Sequence, residues 1–282
     1  MEKVMDSANM QRIKQKIAYL ASMSKDDTPN IVQDTATVPD SITCTKCHNT
    51  GFIETVDAEG YPEMVRCPEC YERRMLFRRL KNSGVSAADY ARYTLQAFDA
   101  SRSTVAATMK QMAERYIQQY KNDGHGFGLF GASGLGKTHL CIAVCQELTA
   151  RYRVPHYYFS YRTEMPELIK SMKGFGVDYD EKSKKWKTCP NLYIDDLFKF
   201  AGKIKTDEKT HKGKLISLES DDAQVMFDII NTRNLNHLTT LFSSEYSVKD
   251  IIAVDPALGS RIFQMVSPFA LGVDGKNQRI GA

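Results

Sequence analysis

The sequence predicts a parallel α/β fold with a small cysteine-bound module ahead of it. Three observations lead there. From Gly126 onward, short apolar runs alternate with helical stretches, the pattern of a parallel sheet with crossover helices. The run GASGLGKT, residues 131 to 138, breaks that pattern between a strand and a helix. Two CxxC pairs, Cys44 with Cys47 and Cys67 with Cys70, stand 19 residues apart.

Each element follows in order. Ile13, Ile17 and Leu20 recur on one face of a helix expected over 8–23, and the polar stretch 24–41 reads as a linker. The insert GFIETVDAEGYPEMVR reads as two short strands joined at Ala58-Glu59-Gly60. A basic helix is expected over 71–81. Another is expected over 104–121, where Val105, Met109, Met112, Tyr116 and Tyr120 are spaced by three or four. Strands follow at FGLF (127–130), VPHYYFS (154–160), LYI (192–194) and TTLFSS (239–244). Helices near 137–151, 164–173 and 222–234 lie between them. Residues 176–190 and 201–222 are polar with little pattern, and long surface loops are expected there.

Composition sets bounds. A chain of 282 residues, 42% hydrophobic and 26% charged, is ordinary for a globular protein. A net charge of +4 allows a nucleic-acid partner without requiring one. No run approaches the ~18 apolar residues of a membrane span, and the N-terminus has no secretory apolar core. The expectation is a cytoplasmic protein with no membrane partner. In that reducing compartment the seven cysteines are not a disulfide framework.

GASGLGKT fits the phosphate-loop pattern, with Gly131, Gly134, Gly136, Lys137 and Thr138 at the required spacing. Glycines let the backbone curl so that N–H groups face phosphates, and a helix N-terminus favours the anion. Gly131, Ala132, Ser133, Gly134, Leu135, Gly136, Lys137, Thr138 and His139 are the expected nucleotide-binding residues. The Thr138 hydroxyl suits Mg²⁺. In NLYIDDLF the apolar Leu192, Tyr193 and Ile194 run into Asp195 and Asp196. Asp195 would hold Mg²⁺ through water, and Asp196 would polarise the attacking water. The competing reading is a pair of solvated carboxylates ending a strand. ATP and Mg²⁺ are the expected ligands of a triphosphate hydrolase.

The spacing C-x₂-C-x₁₉-C-x₂-C suits a closed structural zinc site on Cys44, Cys47, Cys67 and Cys70, with paired redox CxxC motifs as the rival. His48 is expected to be a loop residue. Cys141, Cys145 and Cys189 lack ligand spacing and read as packing residues.

Residues 44–282 resemble the DnaC/DnaI-type replicative helicase loaders, AAA+ ATPases related to the IstB transposition ATPases. The resemblance is carried by SGVSAADYARYTLQAFD (83–99), GASGLGKTHL, YIDDL, DIINTRN (228–234), LFSSEYS (241–247) and DPALGSRIF (255–263). It implies an N-terminal helical segment and linker at 1–43 for partner docking, a zinc module at 44–75 and an AAA+ ATPase domain at 76–282. It implies that Arg261 acts as an arginine finger on a neighbour's nucleotide, and that Ser243 or Ser244 serves as sensor 1. Arg279, in the ending GKNQRIGA, would face nucleotide. The partners it implies are a DnaB-type hexameric helicase, single-stranded DNA and further copies of the chain in an ATP-dependent ring or spiral. The implied activity is ATP-dependent loading of the helicase onto single-stranded DNA in replication initiation. The alternative is an IstB-like ATPase assisting transposition.

Three basic runs compete for DNA: RRMLFRRLK (73–81), KSKKWK (182–187) and KFAGKIK (199–205). Cations interleaved with aromatics suit single strands. Each run equally suits a solvated basic face.

Overall fold

Residues 42–82, 84–174, 177–206, 213–275 and 277 are described by the structure, a computed structural model. The helix expected over 8–23, the linker after it and Arg279 lie outside the described residues.

The cysteine segment folds around a hairpin, β1 (Phe52–Val56) and β2 (Pro62–Arg66), paired from Phe52↔Arg66 to Val56↔Pro62. Its turn forms because the Asp57 carboxylate accepts N–H bonds from Glu59 and Tyr61 at 3.0 and 2.9 Å. Helix α1 (Tyr71–Asn82) starts directly after Cys70 and carries Leu76, Phe77 and Leu80 into the main core. Thus one continuous helix spans residues 75 and 76, where the sequence suggests a domain boundary. Serines then start two helices. Ser86 caps α2 (Ala87–Arg92) and Ser103 caps α3 (Thr104–Gln119), each hydroxyl accepting an N–H three residues on at 3.0 Å.

The remaining elements keep the expected strand–helix alternation and add to it helices over 177–188 and 248–254, a hairpin and a strand over 270–273. They are β3 (Phe127–Gly131), α4 (Lys137–Tyr152), β4 (His156–Ser160), α5 (Tyr161–Lys173), α6 (Val177–Thr188) and β5 (Asn191–Leu197). A second hairpin follows, β6 (Gly202–Thr206) with β7 (Gly213–Leu218). Then come α7 (Ser220–Leu235), β8 (Thr239–Ser244), α8 (Val248–Val254), α9 (Pro256–Val266) and β9 (Ala270–Val273).

Five strands form a parallel sheet in the order β4-β5-β8-β3-β9. Side chains alternate between its faces. Phe127, Leu129, Tyr193 and Leu241 join one core with α3 and α4, while Phe130, Leu192, Ile194 and Phe242 join another with α5, α7 and α9. The result is a three-layer α/β/α arrangement. Each fully buried Leu, Ile or Phe contributes roughly 1.5–3 kcal/mol, so both layers hold the sheet firmly. From β3 the chain passes over two neighbouring positions before laying down β4. The carboxyl ends of β3, β8 and β5 therefore meet at a topological switch point, where open α/β sheets bind ligands.

Two expected loops are ordered elements. Residues 177–188 form α6 although Val177, Tyr179 and Trp186 are its only apolar residues. The helix gains Asp178 and Asp180 in its first turn, Lys185 and Lys187 in its last, and a Lys182–Asp178 pair at 2.7 Å. Residues 202–218 hold the β6–β7 hairpin, whose interleaved lysines disguise a two-residue alternation. Residues 175–176 and 207–212 lie outside the described residues.

No helix among the described residues is long and apolar enough to cross a membrane.

Candidate nucleotide site and metal centre

The loop between β3 and α4 needs two of its glycines on local grounds. Gly131 has φ +129°, and a Cβ there would lie 2.0 Å from the Val273 carbonyl oxygen. Gly134 has φ +78°, and a Cβ there would overlap Asn277 Oδ1 at 1.9 Å. Val273 and Asn277 therefore lie against the loop. Lys137 curls beneath the loop, and its ammonium donates to the Gly131 and Ala132 carbonyls at 2.8 and 2.7 Å. Burial pushes that ammonium below its ordinary pKa, while Glu245 and Asp196 pull the other way.

Asp195 sits at the end of β5 inside a cage of hydroxyls. Tyr158 donates to Oδ2 at 2.7 Å, and Tyr193, Ser243 and Thr138 donate to Oδ1 at 2.5, 2.6 and 3.0 Å. The two phenols are the site residues sequence reading missed. Their signal was present, since Tyr158 and Tyr193 sit where pure sheet core would carry plain apolar side chains. Thr138 and Asp195, expected to share a cation, are in direct contact, an oxygen-donor pair of the kind Mg²⁺ takes.

Adjacent residues on a regular strand point to opposite faces, yet Asp195 and Asp196 both belong to this site. Pairing of β5 with β8 shifts register between Ile194 and Leu197, and Asp196 adopts φ +55°. Such a break in the ladder re-aims a side chain. The Asp196 N–H donates to Ser243 Oγ at 3.0 Å. Burial, then the adjacent Asp195 charge, raise the Asp196 carboxyl above the usual range despite Lys199 and Lys137.

The expected sensor serines face inward. Ser243 is committed to Asp195, Asp196 and Tyr193, and the Ser244 hydroxyl donates to the Leu197 carbonyl at 2.8 Å. The next residue reaches the loop instead. Glu245 pairs with Lys199, and although burial raises its carboxyl, Lys199 and the Ser133 hydroxyl hold it below the usual range.

His139 lies half-buried on α4, with Nε2 3.0 Å from the Thr94 carbonyl and its ring against Tyr93 and Phe98. Burial depresses its pKa and favours the neutral ring. Phe98 and Arg102 also fill the space beside Gly136. Arg261 stands apart from this constellation. Its Nε donates to Asn231 at 2.8 Å, its Nη1 to the Ala257 carbonyl at 2.7 Å, and its guanidinium lies 4.9 Å from the Phe227 ring centroid.

The four cysteines of the first module come together with every Sγ within 4.8 Å of the others. Cys44 and Cys67 are 3.8 Å apart, Cys47 and Cys70 3.4 Å. A tetrahedron with ~2.3 Å metal–sulfur bonds has edges of about 3.8 Å, so the cluster fits zinc. These separations exclude disulfide bonds, which need about 2.05 Å. The Gly51 N–H and Arg74 Nε donate to Cys47 and Cys70 at 3.3 and 3.4 Å, the outer contacts that thiolate ligands take. His48 is exposed at φ +49° within the first knuckle, and Cys141, Cys145 and Cys189 are buried elsewhere.

With this geometry, comparison with known proteins is direct. A family model described as the bacterial DnaA ATPase domain matches residues 91–253, more than half of the chain. The chain belongs to that family. It is 32% identical over 169 residues to the phage-like element PBSX protein XkdC of Bacillus subtilis (strain 168), covering 58% of either chain. It therefore spans under two thirds of that relative's length. It is 26% identical over 261 residues to the replicative helicase loader DnaI of the same strain, covering 83% of this chain and 75% of DnaI. The crystal structure of the DnaC helicase loader shares the fold, with TM-score 0.52 at 19% identity over 66% of this chain and 98% of that one. The chain is thus a protein of the bacterial DnaA ATPase-domain family, similar to DnaI along most of its length, with a cysteine cluster that can hold a metal.

Proposed function

We propose that this chain is an ATP-dependent loader that binds a DnaB-type hexameric helicase in the cytoplasm and delivers it to single-stranded DNA during replication initiation. The observation that carries the reading is the similarity to DnaI along 83% of the chain. An assembled phosphate loop and carboxylate pair support it. In this reading residues 1–43 and the zinc module at 44–75 dock partners, and residues 76–282 form the ATPase.

Backbone N–H groups from Gly131 to His139 and the Lys137 ammonium would bind the phosphates. Thr138 and Asp195 would hold Mg²⁺, which when bound neutralises charge on the phosphate oxygens. The hydroxyl cage fixes the Asp195 carboxylate in one orientation. Asp196 would take the proton of the attacking water, a role its raised pKa suits. Arg261, held away from its own chain's loop, would serve a neighbouring copy and make turnover depend on a ring or spiral. Ser243 and Ser244 would transmit nucleotide state through β8, and Arg279 would complete the nucleotide contact. Cys44, Cys47, Cys67 and Cys70 would hold zinc.

The test is binding of purified helicase by the full chain carrying Asp196→Asn, with ATP, against Lys137→Ala. ATP-dependent complex formation with a hexameric helicase is the expected result. No helicase complex, with ATP-dependent binding of a purified transposase in a parallel assay, would replace this reading with transposition assistance.

A further inference from the structure

Packing separates the three basic runs. In α6 the Trp186 ring is buried against Phe159, centroids 5.1 Å apart, and Lys187 pairs with Asp228 at 2.6 Å. Along α1, Met75, Leu76, Phe77 and Leu80 are buried, and Arg79 lies 3.9 Å from the Tyr157 ring centroid. Both runs serve the core with their aromatic members.

The run 199–205 is different. Phe200 is 74% exposed and adopts φ +68°, following Asp196 and Phe198 at +55° and +65°. A bulky residue in the left-handed region is an outlier that its surroundings must enforce. Here the enforced conformation holds an aromatic ring in solvent. Arg162 and Lys199 place their charges 5.4 and 5.6 Å from its centroid.

The hairpin that begins two residues later adds a row of cations. Lys203 and Lys205 alternate with Ile204 along β6 and so share a face, about 6.6–6.8 Å apart. Lys214 on β7 is the direct partner of Lys205. Leu215, on the opposite face, is buried in the core. Lys203 makes a solvent-exposed pair with Glu219 at 3.3 Å. Lys205 and Lys214 form no ion pair with the described residues, although like charges directly opposite each other destabilise a hairpin. Ile216, beside the register shift, is also exposed. An alternating row of cations beside a solvent-held ring matches a polyanion whose phosphates alternate with flat bases. An acidic peptide would satisfy the lysines and leave the ring unused.

We propose that the β6–β7 hairpin and Phe200 form a single-stranded DNA site, with phosphates on Lys203, Lys205 and Lys214 and one base stacked on Phe200. The assignment rests on the reading of single-stranded DNA as a partner. Fluorescence anisotropy of a labelled oligothymidylate, titrated with the full chain and ATP at several salt concentrations, tests it. Lys205→Glu/Lys214→Glu should weaken binding at least tenfold and flatten the log–log salt slope by about 1.4, two phosphates at ~0.7 each. Phe200→Ala should weaken binding about tenfold with the slope unchanged, and Phe200→Trp should restore it. Lys121→Glu/Lys170→Glu, outside all three basic runs, is the charge-matched control and should stay within twofold. All substituted positions are exposed, and thermal melts verify folding. Wild-type affinity in both the Lys205→Glu/Lys214→Glu and Phe200→Ala variants, with the wild-type slope in the former, would overturn the site while leaving the loader reading intact. Absence of binding by the unsubstituted chain would overturn both. Competition by polyglutamate as strong as by unlabelled oligothymidylate, with Phe200→Ala silent, would give the surface to an acidic peptide instead.

Discussion

Removing metal should unfold the cysteine module and leave the nucleotide site standing. Within that module Ile42 is the buried aliphatic side chain, with Ile53 partly covered against the same cluster. Two isoleucines, one of them only partly buried, contribute at most about 3–6 kcal/mol, whereas a structural zinc site contributes roughly 10–16 kcal/mol. A zinc ion bound there would therefore decide whether this segment is ordered. The three-layer core takes Leu76, Phe77 and Leu80 from α1 and Tyr90 from α2 as well as the sheet and α3 to α9, but draws on none of the four sulfurs. The assay is metal analysis followed by hydrogen exchange with and without a strong chelator. One zinc per chain is expected. After chelation the amides of Asn49, Thr50 and Cys67, bonded to the Cys44, Cys47 and Gly51 carbonyls, should lose protection. Those of β3, β5 and β8 should keep it. Purified protein without metal and with four freely reactive module thiols would refute the reasoning. So would protection at Asn49, Thr50 and Cys67 that survives chelation.

Asp196→Asn should abolish ATP turnover and raise the melting temperature at neutral pH. Folding raises this carboxyl's pKa, so its ionised form disfavours the fold above that pKa, and the variant's advantage should vanish as pH falls through it. A melting-temperature advantage of the variant that is the same at acidic and neutral pH would contradict this. Arg233, fully buried, donates to Thr240 Oγ1 and to the Trp186, Cys189 and Thr239 carbonyls at 2.8–2.9 Å. Arg233→Ala should cost roughly 3–5 kcal/mol and lower Tm by about 6–20 °C in calorimetry. Arg261→Ala should retain ATP binding yet lose roughly 10³-fold in assembly-dependent turnover, and equal turnover in both proteins would remove the trans-acting role. Gly134→Ala should lose nucleotide binding measured by calorimetry, since its Cβ would overlap Asn277 Oδ1 at 1.9 Å in a backbone conformation at φ +78°.

Some features were legible because they are local. The GASGLGKT spacing, the apolar run ending in Asp195-Asp196 and the paired CxxC knuckles each place donor atoms through a few bonds of nearby backbone. Four of the five sheet strands were legible because burial on both sheet faces leaves unbroken apolar runs, whereas the four-residue edge strand β9 offers no such run. Helix α6 and the β6–β7 hairpin were not, because a few anchors (Trp186 and Leu215 among them) hold segments that otherwise face solvent.

The sequence by itself therefore determined the α/β class, the phosphate loop, the carboxylate pair and the cysteine ligand set. Only the tertiary structure decided what surrounds them. It brought Tyr158, Tyr193 and Ser243 onto Asp195 and turned Glu245 towards Ser133 and Lys199. It also buried Trp186 while leaving Phe200 in water. The physical reason is range. Spacing along the chain governs contacts a few residues apart, whereas the order β4-β5-β8-β3-β9 brings together strand ends that are remote in sequence.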